Sequence, residues 1–86
     1  MKVYLTVADE LIMNGFLNLD ALPVPGKIHG DISTLDQYVD DGEATEIIVP
    51  TALDYIFLSD KQHIVSNWTK KLAHGGEIVL GGLEIT

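Results

Sequence analysis

A chain of 86 residues, 47% of them hydrophobic, has room for a single domain and is too apolar to remain disordered. Thirteen acidic against five basic residues leave a formal charge of −8, a field that repels phosphate backbones and disfavours direct nucleic-acid binding. With no cysteine, neither disulfides nor thiolate-bound zinc can reinforce so small a core. Assembly is the usual remaining route, so a homo-oligomer, most simply a homodimer, or a partner protein is expected.

Lys2–Val7 is a short apolar run of β-branched and aromatic residues and predicts a buried first strand. Ala8–Asn14 is helix-friendly but long enough for at most two turns, and Asn14-Gly15 breaks it. Phe16–Ala21 suits a second strand with the Asp20 carboxylate at its C-terminal end. Pro23-Val24-Pro25-Gly26 is a turn, and Lys27–Asp31 a short third strand. Asp31, Ser33 and Thr34 are placed to cap a short helix over Leu35–Val39, closed by Asp40-Asp41-Gly42.

Glu46-Ile47-Ile48-Val49 is the most strand-like run in the chain and predicts a central fourth strand stopped by Pro50. Thr51–Leu58 opens with a capping-box pattern and predicts a two-turn helix carrying Leu53, Ile56 and Phe57 on one side. Ser59 followed by Gln62 caps a longer helix, about Asp60–Ala73, along the stripe Ile64, Val65, Trp68 and Leu72. Lys70, Lys71 and His74 favour its C-terminal end, and Gly75-Gly76 supplies a left-handed cap. Glu77–Leu80 is a fifth strand, with Leu83–Thr86 as its continuation past Gly81-Gly82. Strands alternating with helical pieces imply a parallel sheet covered on both faces. The link between the first two strands is too short for an ordinary parallel crossover, so it is either irregular or those strands pair with another chain.

No apolar run approaches the roughly 20 residues a spanning helix needs, and Met1–Leu5 lacks the pattern of a signal peptide. A cytoplasmic protein is expected, in keeping with the absence of cysteine. His29, His63 and His74 do not place two ligands on one helix face, so no metal site is expected. His29 beside Asp31 has the composition of a catalytic base, although a lone strand histidine is more often structural. The cluster Asp36, Asp40, Asp41 and Glu43 reads as a solvated loop rather than a cation site, and Trp68 as a core anchor, the sequon Asn67-Trp68-Thr69 lying inside a helix.

In order and content, Asn14-Gly15-Phe16-Leu17-Asn18-Leu19-Asp20, Gly30-Asp31, Pro50-Thr51-Ala52-Leu53-Asp54-Tyr55 and Leu72-Ala73-His74-Gly75-Gly76 form a recognisable series. It resembles the short Rossmann-like S-adenosylmethionine-dependent methyltransferases, over nearly all of this chain and only the first part of a usual member. The resemblance implies a minimal α/β three-layer sandwich with a mostly parallel five-stranded sheet of order 3-2-1-4-5. It also implies a cofactor site made by Thr6, Ala8, Asp20, Asp31 and Pro50. Asp20 would accept the ribose hydroxyls of S-adenosylmethionine, and Asp31 would lie near its adenine. Where the family has a Gly-x-Gly loop, however, this chain has Thr6-Val7-Ala8, and a Cβ occupies space that a closely approaching cofactor needs. Thr51 and Tyr55 stand where histidines are frequent, leaving no evident general base. The expectation is therefore a domain with cofactor binding weakened or lost, acting as a binding or assembly module. The alternative is a minimal methyltransferase completed by dimerisation.

Overall fold

The runs that read as strands pair into one sheet. The computed structural model describes residues 1–50, 61–81 and 83–85. Its elements are β1 (Lys2–Thr6), β2 (Leu17–Asp20), β3 (Ile28–His29), β4 (Ala44–Val49), α1 (Lys61–Lys71), β5 (Leu72–Leu80) and β6 (Leu83–Ile85). Five strands are parallel in the order β3-β2-β1-β4-β5, a minimal α/β arrangement of the Rossmann-like type. β6 joins the outside of β5 antiparallel, so the chain beyond Gly81 folds back instead of prolonging the fifth strand.

Register decides which face is the core. Val3 lies beside Leu17 and Ile47, Leu5 beside Leu19, Ile47 beside Ile78 and Val49 beside Leu80, which puts all of these side chains on one side of the sheet. They cluster with Ile32, Leu35 and Val39 from the β3–β4 connection and with Ile64 and Trp68 from α1. Trp68 is fully buried and its indole Nε1–H donates to the Ile32 carbonyl at 2.8 Å, the core anchor its place in the stripe implied.

On the same side α1 is tied to the acidic loop. Lys71 is only 3% exposed, and its Nζ lies 2.7 Å from both Asp36 Oδ1 and Asp41 Oδ1. Hydrogen bonds to Asp36 and then Asp41 raise the pKa of this ammonium above its ordinary value against the opposing effect of burial. Part of the acidic cluster is thus a clamp on the helix end rather than a wholly solvated loop.

Two short helices expected from the sequence are not formed. Over Ala8–Asn14, the Asp9 carboxylate accepts from the Leu11 N–H at 2.9 Å, while Asn18 accepts from the Met13 N–H and donates to the Met13 carbonyl. Side chains thereby take backbone groups that a helix would pair with one another. Leu35–Val39 makes a single turn, closed by the Val39 N–H on the Leu35 carbonyl, with the Leu35 N–H taken by Asn67 Oδ1 of α1. β1 and β2 nevertheless pair within one polypeptide, joined by the irregular residues 7–16 across the face that bears Tyr4, Thr6, Asn18 and Asp20.

α1 ends at Lys71 rather than Ala73, because the Gly42 N–H caps the Lys70 carbonyl and the chain enters β5 directly. Gly75 does adopt φ +80°, but within β5, at the irregularity between the Ala44–Leu72 and Glu46–Glu77 pairs. The expected helix over Thr51–Leu58 and its neighbour's Ser59 cap lie outside the described residues. No helix of the described residues is long and apolar enough to cross a membrane.

Candidate functional site

A parallel sheet gathers the ends of its strands at one edge, and three of them here converge on a crevice. It measures about 430 Å³ and is lined by Val7 after β1, Ala21 and Leu22 after β2, and His29, Gly30 and Asp31 at the end of β3. Most of the wall is apolar, and His29 and Asp31 are the ionisable residues that border it. Asp31 is exposed, and its Oδ1 accepts from both the N–H and the hydroxyl of Ser33, at 2.9 and 2.6 Å. Gly30 is required by packing, since a Cβ there would collide with the hydroxyl and ring of Tyr38. Gly30→Ala is expected to destabilise the fold by about 1–3 kcal/mol, because Tyr38, which packs against the core, must shift to admit the methyl group. A lowered urea midpoint with an unchanged m-value checks this.

Asp20 is fully buried and is not among the residues that line the crevice. Its Oδ1 accepts from the Ala8 and Leu22 N–H groups, each at 2.8 Å. Its Oδ2 accepts from the Thr6 hydroxyl at 2.6 Å and the Asp9 N–H at 3.1 Å. A carboxylate has about four accepting positions, and all are used by the chain itself. Lys27 extends the network: its Nζ donates to Thr6 Oγ1 at 2.9 Å and sits 5.1 Å from the centre of the Tyr4 ring.

Burial alone would raise the pKa of Asp20. The bonds from Thr6 and from the N–H groups of Leu22, Ala8 and Asp9 outweigh it and hold the carboxyl at about 2, below its ordinary 3.8. A depressed carboxyl pKa stabilises the fold above the unfolded value and loses that contribution as acid is added through the folded one. The contribution is about 2 kcal/mol, present above about pH 4 and fading through about pH 2. The stability difference between the native chain and Asp20→Asn, measured in urea, should therefore shrink as pH falls from about 5 to about 2.

The five residues expected to hold a cofactor thus have distinct placements. Thr6 and Asp20 are joined and buried; Ala8 donates to Asp20 and has φ +57°; Asp31 borders the crevice; Pro50 follows β4 and is not among the lining residues. The turn after β1 is left-handed at Ala8, a position where glycine would be the easy choice. Lys27 was not evident from the sequence, where it is one residue after a turn with nothing to mark its reach to Thr6. Among the described residues no three histidine, aspartate or glutamate side chains are grouped so as to hold a metal ion. Comparison with family models, with curated proteins and with solved structures gives no match for this chain.

Proposed function

We propose that this chain is a methyltransferase-like domain that does not transfer methyl groups and serves as a binding or assembly module. The observation that carries the reading is the engagement of Asp20. In the family that the sequence resembles, the acid at this position receives ribose hydroxyls; here its oxygens already accept four hydrogen bonds from Thr6, Ala8, Asp9 and Leu22. The Cβ on the left-handed turn at Ala8 adds to the obstruction. A cytoplasmic setting belongs to the same proposal, since the cysteine-free core asks for no oxidising compartment.

A second reading, a minimal S-adenosylmethionine-dependent methyltransferase completed across a dimer, is favoured by the crevice itself. It lies beside Asp31 at the carboxyl edge of the sheet, where open α/β folds bind ligands. Isothermal titration with S-adenosylmethionine and S-adenosylhomocysteine separates the two. The module reading expects no heat up to millimolar ligand; micromolar binding abolished by Asp31→Ala would overturn it. Light scattering tests assembly independently: a mass of two chains is expected, and a strict monomer counts against a self-assembling module.

A further inference from the structure

Among the described residues, the groups bonded to the Asp20 carboxylate are donors: three backbone N–H groups and the Thr6 hydroxyl, with the Lys27 ammonium one hydrogen bond further on. Successive N–H groups around a left-handed residue form the concave arrangement that binds anions in many folds, and here Ala8 at φ +57° turns its own N–H and that of Asp9 to one carboxylate. In such folds the anion comes from a ligand. In this chain it comes from the next strand.

We propose that the turn after β1 is an anion site for a carboxylate-sized group, occupied from within by the Asp20 side chain, which closes it to external anions. Three features support a ligand-like role over an ordinary turn cap. The donors come from three separate pieces of chain, the end of β1, the turn after it and the turn after β2. The carboxylate is fully buried. The nearby cation, Lys27, is reached through a neutral hydroxyl, so removing the carboxylate leaves a cavity lined by donors beside a positive charge. The ionisable groups facing this network are Tyr4, whose phenol burial and then Asp9 push above its usual pKa, together with Asp9 and Lys27. The proposal stands apart from whatever the crevice binds.

Chemical rescue tests it with formate as the probe. Asp20→Ala should melt well below the native chain in chloride, and formate at matched ionic strength should raise its Tm saturably, by roughly 5–10 °C once formate reaches about ten times its Kd. The native chain, its site filled, should show no such difference between formate and chloride. If Asp20→Ala is unfolded in chloride, recovery of its far-ultraviolet circular dichroism with formate is the readout. Equal responses to formate and chloride would overturn the proposal. A second measurement needs no variant: the Asp20 carboxyl carbon and the Ala8 and Leu22 amide protons should titrate together in the native chain. Amides that ignore the carboxyl would likewise overturn it.

Discussion

Trp68→Ala is expected to destabilise the domain by about 3–5 kcal/mol, the range for removing a large buried aromatic side chain. The indole is fully buried among residues of both the sheet and the β3–β4 connection, and its loss also leaves the Ile32 carbonyl without the hydrogen bond it receives at 2.8 Å. Small domains have total stabilities of roughly 5–15 kcal/mol, so this one change would consume much of the margin. Trp68 is the single tryptophan, so unfolding of the variant is followed by far-ultraviolet circular dichroism rather than fluorescence. A loss of under about 1 kcal/mol would mean that α1 is not fastened to the sheet through this side chain.

The second large effect is expected at Asp20→Asn. Asparagine keeps the shape but exchanges one acceptor oxygen for an NH2 donor. Whichever way the amide is turned, that donor confronts two groups that also donate: Ala8 and Leu22 N–H on one side, Thr6 hydroxyl and Asp9 N–H on the other. The hydroxyl has freedom to rotate and the backbone groups have none, so the amide oxygen should face Ala8 and Leu22. One unsatisfied buried N–H and the lost negative charge together are worth about 3 kcal/mol. Urea denaturation measures the loss, and slowed amide exchange at Ala8 and Leu22 with fast exchange at Asp9 would establish the orientation. A variant as stable as the native chain would show that the network around Asp20 is incidental.

Much of the sheet was legible because its strands obey simple patterns. Ile47-Ile48-Val49 is β-branched and apolar and lies in the central β4, and the order β3-β2-β1-β4-β5 is the one that the family resemblance implied, with β6 added outside it. The short helices were misread because propensity ignores side chains that compete for the backbone. Asp9 and Asn18 are separated from the groups they bind by turns that no periodicity encodes. Gly75-Gly76 looked like a helix cap because a cap and a bulge both ask for positive φ, and only register distinguishes them.

At the candidate site the sequence marked Asp20 and Asp31 but not what they touch. Asp20 stands at a strand end, yet its burial depends on the irregular turn after β1, whose Ala8 and Asp9 amides close on it. Ile64, Trp68 and Lys71 are spaced four and three residues apart, which puts the lysine on the apolar side of the helix. A cation on a buried stripe needs an anion opposite, and the chain offers a run of acids in Asp36, Asp40 and Asp41.

The helix-free connection between β1 and β2 carries a lesson for making parallel sheets small. Parallel neighbours are ordinarily joined through a helix, whose internal pairing satisfies the polar backbone of the return path. Residues 7–16 make the same journey using borrowed partners: Asp20 receives the first amides, and Asn18 serves Met13 and Phe16 near the end. Asn18 acts locally, whereas the amides that Asp20 receives follow β1, so that part of the link is satisfied only once the two strands have docked. A designer wishing to delete a crossover helix would therefore place an acid and an amide two residues apart on the receiving strand, and should expect loop and strand to order together.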